Sequence, residues 1–487
     1  MMGPNQRREP RLFYTDFNLD RRVPPDHPLR RVAERINFDF VRAEVASLYG
    51  ERGNPSVDPA ALLKFNFLLF LENVPSERQL MEQMPLRLDW LWFCGYDLDD
   101  AVPDHSVLSK ARRRWGPEVF ASFFTRVLAQ CVDAGIVDGQ TVHVDASVIA
   151  ANASRDTVEP VLRRTGEDLY VRLERVSEPP ADPGAGNFTS PTDPDARLTR
   201  VSGEAVLGYK EHRVVDDASG IITATETTGA ATSEAHVLPQ LLDSHARAVG
   251  EPAGTVVADK QYGTAENYRA VEARGAEACI PHERHVHPEG KFPRDAFRYD
   301  AGRDVYVCPA GQALTRWNEL PEEQRVRYKA RAEVCAACAM RAQCTDAKDG
   351  RRVDRHDLQA YIDWADGCLT KGERRRLMAR RKAAMEGSFA DAANNHGFKR
   401  ARWRGLAMVR IQGLLIATIQ NVRKLLRAWR RPDSIGVAAR VARALALTLF
   451  SGFSDHAAPS CLFGNRYGVA LASRAPAIIY IAGAGAN

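Results

Sequence analysis

Two short apolar runs each end in an aspartate: Thr141-Val142-His143-Val144-Asp145 and Thr255-Val256-Val257-Ala258-Asp259. Valine-rich runs of this length read as buried strands. A buried strand carries an ionised carboxylate only where a partner charge or a metal ion offsets its removal from water. A third acid, Glu386, lies far downstream in a helical pattern crowded with arginine. Two strand-borne aspartates and one helical glutamate point to a divalent-metal site, and the positive charge around the third acid points to a polyphosphate chain as substrate.

The bulk properties leave that reading open. A chain of 487 residues is long enough for about two to four domains, each with a core. No run approaches the roughly 18 uninterrupted apolar residues of a membrane span. The opening Met1-Met2-Gly3-Pro4-Asn5-Gln6-Arg7-Arg8 lacks the apolar centre of a secretory leader, so a cytoplasmic location and no membrane partner are expected. Nine cysteines in a chain of this kind argue against a disulfide framework. The net charge of +5 hides an asymmetry, because residues 371–430 hold 16 Lys and Arg against three acids, Glu373, Glu386 and Asp391. Such a segment is the electrostatic footprint of a phosphate-backbone binder; the plainer reading is a solvated helical face.

Five regions follow from the patterning. Residues 1–135 read as a helical DNA-binding region. In it Pro59 to Glu72 is apolar on all sides, as a buried helix would be, and Pro103-Asp104-His105-Ser106 precedes a basic helix with Lys110, Arg112, Arg113 and Arg114. A short helix, a turn and a basic helix fit a helix-turn-helix-like DNA reader, although basic residues toward a helix end also complement its dipole. Residues 136–290 alternate strand and helix signals, with a hairpin across Asp216-Asp217-Ala218-Ser219-Gly220 and a Pro/Gly-rich loop from Glu178 to Pro194. This gives a mixed α/β sheet covered by helices. Residues 291–350 form a small cysteine-rich insert, 351–430 are helical again, and 431–487 are an atypical Ala- and Gly-rich tail, which reads as read-through or a shifted frame.

Cleaving a phosphodiester requires an activated oxygen, a stabilised phosphorus and a stabilised leaving oxygen. Two divalent ions roughly 3.5–4 Å apart serve both oxygens, and magnesium or manganese takes hard carboxylate ligands. Three acids alone are not specific; their contexts are. His143-Val144-Asp145-Ala146-Ser147, Val257-Ala258-Asp259-Lys260-Gln261-Tyr262-Gly263 and Met385-Glu386-Gly387-Ser388-Phe389 occur in that order around one α/β pattern. With Gly208-Tyr209-Lys210, Arg402-Trp403-Arg404-Gly405-Leu406 and Gln420-Asn421-Val422-Arg423-Lys424, the chain resembles bacterial insertion-sequence transposases of the DDE type, from about residue 50 to 430. The resemblance implies an α/β catalytic core, a ribonuclease-H-like mixed sheet flanked by helices, with a helical N-terminal domain and a cysteine-bearing insert between the second and third acids. It also implies Asp145, Asp259 and Glu386 as the catalytic triad holding two Mg2+ or Mn2+ ions. The expected partners are the terminal inverted repeats and target DNA, and joining two ends implies a homodimer or higher assembly.

One departure stands out: the Tyr and basic residues many relatives carry around the glutamate fall here on Ala379, Lys382 and Ala393, leaving Arg381, Lys382, Lys399 and Arg402 as DNA contacts. Lys260, Tyr262 and Arg404 are further DNA-contact candidates. The plainer reading of the aspartates is strand-end caps or salt-bridge partners, and that of Glu386 is a helical pair with Lys382 four residues away. Other readings of function are a metal-dependent nuclease that cuts without strand transfer, and an inactive DNA-binding relic. Cys335-Ala336-Ala337-Cys338, with Cys344 and Cys308, has the spacing of a closed tetrahedral zinc site. Zinc there would be structural, since about 50 residues supply little core.

Overall fold

Pro59 at the first helical position and Asp58 as cap, its side chain accepting from Ala60 N at 3.0 Å, start helix α1 (Pro59–Leu71). Residues 59–70 of this helix are all buried, Lys64 and Asn66 included, as expected for a segment apolar all round. Helices α2 (Glu77–Gln83) and α3 (Leu88–Cys94) follow. Helix α4 (Ser106–Asp133) bends at Gly116, whose φ of 69° suits a residue without a Cβ; Pro117 next to it removes a ladder donor. The coordinates are a computed structural model and describe residues 1–3, 18–154, 159–160, 188–282 and 290–429. The described residues all fall in one compact unit, within Met1–Gly436. The expected tail lies outside the described residues, as does the 178–187 part of the expected loop.

The central sheet contains β1 (Thr141–Ala150), β2 (Arg197–Val201), β3 (Glu204–Asp216), β4 (Ile222–Gly229), β5 (Thr255–Val257) and β6 (Glu277–Cys279). β3 pairs antiparallel with β1, β2 and β4, whereas β5 lies parallel to β1 and β6 parallel to β5. The hairpin read across residues 216–220 is the β3–β4 turn. Helix α5 (Leu238–Val249) leads from β4 to β5, and α6 (Ala265–Glu272) leads from β5 to β6. One sheet face buries Val142, Val144, Val214 and Val256 with Leu238, Leu241 and Tyr268.

The insert is larger than its sequence suggests. Five antiparallel strands, β7 (Arg298–Asp300), β8 (Val305–Val307), β9 (Ala313–Leu320), β10 (Arg325–Lys329) and β11 (Arg352–His356), form a second sheet in sequence order. Its own core is Phe297, Tyr306, Leu314, Tyr328, Ala330 and Val353. Only the 298–309 hairpin is visible in the sequence, because β9 buries little beyond Leu314 and so lacks the alternation that marks a strand.

Helix α7 (Gln359–Gly367) precedes α8 (Lys371–His396), which opens with a capping box: Thr370 Oγ1 accepts from Glu373 N, and Glu373 accepts from Thr370 N. The last helix, α9 (Leu406–Ala428), packs along α4 and α1. The N-terminal helices, α9 and one face of the sheet share one continuous core. Arg213 of β3 ties these layers together. It donates to Glu211 Oε1 at 2.6 Å, Gln420 Oε1 at 2.9 Å and Ser388 Oγ at 3.2 Å, and its guanidinium lies over the Phe389 and Phe398 rings. Among the described residues no helix is long and apolar enough to cross a membrane.

Candidate active site

The parallel register explains why the two aspartates meet. Thr141, Val142 and His143 pair with Thr255, Val256 and Val257, and the same offset carried two residues on sets Asp145 opposite Asp259. Asp259 stands just past the carboxyl end of β5, and Asp145 stands midway along β1, two residues beyond the last paired position of the two parallel strands, beside the point where strand direction reverses, the usual ligand position in such sheets. Beyond its short strand Asp259 caps the turn Lys260–Tyr262, its Oδ1 accepting from Gln261 N at 2.9 Å.

Alternate residues of β1 face α8 and the segment after it, as a period of two requires. His143 is fully buried and hydrogen-bonded through Nε2 to Asp217 at 2.7 Å, which also pairs with Arg380 at 2.5 Å; it is a core histidine whose Nδ1 has no partner among the described residues. Asp145 accepts from Arg381 Nη1 at 2.8 Å. Ser147 accepts from Lys399 Nζ at 2.8 Å.

The third carboxylate beside the aspartates is Glu234. Carboxylate oxygens of Asp145, Glu234 and Asp259 lie within 4.8 Å of one another. Glu234 opens a single turn (Glu234–His236) after β4. Buried Asn267 of α6 ties that turn to the Lys260–Tyr262 turn, donating to Ala235 O at 3.0 Å and Tyr262 O at 2.9 Å. Lys210 Nζ sits 3.2 Å from Glu234 Oε1. Burial raises the Glu234 carboxyl above its ordinary range; Lys210 opposes this, and the two aspartates add to it. Burial likewise raises Asp145, against the pull of Arg381.

Glu386 is not in this cluster. Its side chain is 69 % exposed and pairs with Lys382 at 4.0 Å, which corrects the expectation that Asp145, Asp259 and Glu386 converge. Helix phase supplies the reason. At about 100° per residue, Glu386 points roughly 140° away from Arg381, and the inward-facing residues of α8 are Met385, Ser388, Phe389, Ala392 and His396. Tyr262, expected at the DNA, is fully buried.

The basic residues divide in the same way. Lys110, Arg113, Arg114, Lys260, Lys382, Lys399 and Arg404 are exposed. Arg112 is 2 % exposed, hydrogen-bonded to Asn66 Oδ1 at 3.0 Å, paired with Glu77 and stacked 3.7 Å from the Trp403 ring centre. It holds α4, α1 and α2 to the chain before α9 and does not read DNA. Arg402 lies over the Phe70 ring and donates to Leu69 O and Asn73 Oδ1; burial lowers it to about 10. Both correct the expectation of DNA contact. A turn-and-basic-helix pattern cannot show that the arginine in its middle faces inward.

The four insert cysteines, Cys308, Cys335, Cys338 and Cys344, line one pocket. Cys308 Sγ accepts from Gln312 N at 3.3 Å. No three of these sulfurs lie mutually within 4.8 Å.

Sequence missed Glu234 and Lys210 as site residues. Glu234 in Thr-Ser-Glu-Ala-His reads as an ordinary acid near a helix start; its one distinguishing signal is that it follows the strand ending the hairpin and precedes a helix, as Asp259 does.

Comparisons with known proteins bear on both ends of this unit. Residues 17–114 match a transposase domain and residues 307–426 match a transposase DDE domain. No curated protein matches the chain. A solved piggyBac transposase synaptic complex with hairpin DNA is similar at 8 % identity and a TM-score of 0.30, covering 84 % of this chain and 81 % of that one, a likeness too distant to carry an argument. With one transposase domain on the N-terminal helices and another running from the insert through α9, on either side of the sheet that gathers the acids, the chain belongs to the DDE transposases of insertion sequences.

Proposed function

We propose that this transposase cleaves DNA at the ends of its element and joins the freed 3′ ends to target DNA, with Asp145 and Asp259 as the metal-binding aspartates. The observation that carries this reading is the convergence of carboxylates from β1, from the turn after β5 and from the turn after β4, where the antiparallel and parallel parts of the sheet meet. That strand arrangement, β4-β3-β1-β5-β6 with the first three antiparallel, supports the ribonuclease-H-like fold implied by the sequence resemblance. Crowded carboxylates, all oxygen donors, suit Mg2+ or Mn2+. Bound there, two such ions would supply an activated attacking oxygen and a stabilised leaving oxygen.

The chain's own residues do the rest. Arg381 holds Asp145 in place and brings a fixed positive charge to where a phosphate would approach. Lys260, next to Asp259, and Lys382, with Lys371, Arg375 and Arg376 on the exposed side of α8, offer a basic track for the phosphate backbone. Lys399 and Arg404 extend it. Glu386 takes part from this exposed side as the third acid, beside DNA seated on that track. Lys110, Arg113 and Arg114 of α4 form a second exposed basic patch for the terminal repeats, and two ends joined in one reaction require a dimer or larger assembly. The four insert cysteines hold a structural zinc ion after side-chain rotation, which anchors a sheet with a core of six residues.

The test is a cleavage and strand-transfer assay with terminal-repeat and target DNA in Mg2+. The wild-type chain is expected to give joined products, and Asp145→Asn and Asp259→Asn to give none, with loss of at least about 10³-fold in rate. Cleavage without joined products would leave the nuclease reading. Undiminished cleavage by both variants would remove the aspartates from the reaction.

A further inference from the structure

We propose that Glu234 is the carboxylate that completes the divalent-metal site in the DNA-free protein, and that the Tyr262 hydroxyl donates a hydrogen bond to the oxygen ligands gathered there. The proposal rests on the reading that Asp145 and Asp259 hold a divalent cation, and it names two residues of that site which the sequence pattern does not. Three carboxylates with oxygens mutually within 4.8 Å repel one another, and a folded chain keeps them so by holding a proton or by compensating positive charge. Lys210 on Glu234 and Arg381 on Asp145 offset two of the three charges. Asp259 accepts from Gln261 N, and the donors gathered here are all hard oxygens, the donor set magnesium and manganese take.

The second observation is independent of the acids. The Tyr262 side chain is fully buried, and its hydroxyl has no hydrogen-bond partner. Buried tyrosine hydroxyls nearly always find one. This hydroxyl is held by the turn that Asp259 caps and lies in the field of Glu234, Asp145 and Asp259, which add to the burial that raises it well above its ordinary value. A purely structural cluster would spend that donor on a protein acceptor. A ligand oxygen in the site gives it one.

Glu234 is also the better held of the two glutamates. It is 9 % exposed and fixed by Lys210 and by the Asn267 tie between the two turns. Glu386 is 69 % exposed, and its one ion pair, to Lys382, spans 4.0 Å. A carboxylate already positioned binds a cation without ordering a side chain first.

The test is Mn2+ titration of the full chain without DNA, followed by calorimetry and by the loss of free-Mn2+ electron paramagnetic resonance signal. Asp145→Asn and Asp259→Asn are expected to weaken binding at least ten-fold. Glu234→Gln should do the same, and Glu386→Gln should stay within about two-fold of wild type. Tyr262→Phe should weaken Mn2+ several-fold while its metal-free melting temperature stays at or above wild type, since the variant removes an unpartnered donor; a fall in that temperature would show the hydroxyl to be a structural group. Wild-type affinity in Glu234→Gln, with the two aspartate variants impaired, overturns the Glu234 assignment and leaves the metal site standing. Wild-type affinity in both aspartate variants overturns the metal site itself. Should Glu234→Gln fail to fold with Lys210 left unpaired, Glu234→Asp decides: it keeps the charge one methylene short, a several-fold loss supports the proposal, and unchanged affinity ends it.

Discussion

Arg112→Ala and Arg113→Ala, substitutions at adjacent positions, should have opposite consequences. Arg112 is 2 % exposed, pairs with Glu77, donates to Asn66 and stacks on Trp403. Removing one member of such a buried pair leaves its partner charged in a poor solvent, at a cost of about 3–5 kcal/mol, with the lost stacking inside that figure. Arg113 is exposed, and surface changes of its kind stay within about 0.5 kcal/mol. Urea unfolding followed by tryptophan fluorescence should show the midpoint for Arg112→Ala falling by about 1 M or more, at slopes typical of globular chains, and that for Arg113→Ala unmoved. In gel-shift titrations Arg113→Ala should lose DNA affinity and lower the salt slope by about 1 for each phosphate contact removed. Pairing Arg112→Met with Glu77→Gln removes both charges yet keeps the acceptor that Trp403 Nε1 reaches at 3.0 Å, so the double variant should recover most of the loss. Unfolding of Arg112→Ala at the wild-type midpoint, with a loss of DNA affinity like that of Arg113→Ala, would refute the structural role of Arg112.

Two further outcomes follow. Burial holds His212 down to about 3 from an ordinary 6.5, so between those values the unfolded chain binds the extra proton and stability falls as pH falls. The contribution is complete above pH 6.5 and approaches about 1.4 kcal/mol lost per pH unit below it. His212→Asn should therefore flatten the dependence of unfolding free energy on pH between 6.5 and 5; an identical slope would refute the assignment. Elemental analysis of protein purified under reducing conditions should find about one zinc per chain, lost in Cys338→Ser and kept in Asp145→Asn, and absence of zinc from the wild type would remove the cysteine site.

What the sequence makes legible divides along physical lines. Asp145 and Asp259 are legible because each follows a valine-rich run that reads as a buried strand; that the two strands lie side by side and parallel, with β2, β3, β4 and α5 between them in the chain, is seen only in the fold. The β3–β4 hairpin and the all-apolar α1 are visible for a similar reason, since one local pattern determines each. Glu234 depends on something no local pattern carries: Asn267, more than thirty residues on, fastens two single turns to each other. Arg112 and Arg113 are equal members of a charge run until Glu77 and Trp403, the latter some 290 residues away, cover one of them. Glu386 fails to reach the aspartates through phase alone, because α8 is anchored by Arg381, Met385, Ser388 and Phe389, and a residue five positions from Arg381 faces elsewhere on the same cylinder. Chemistry-bearing residues are thus legible where secondary structure alone sets their direction, and illegible where a contact across the fold sets it. By that criterion the acid of this site most in need of experiment is Glu234, because its place in the cluster is set by tertiary contacts from Lys210 and Asn267.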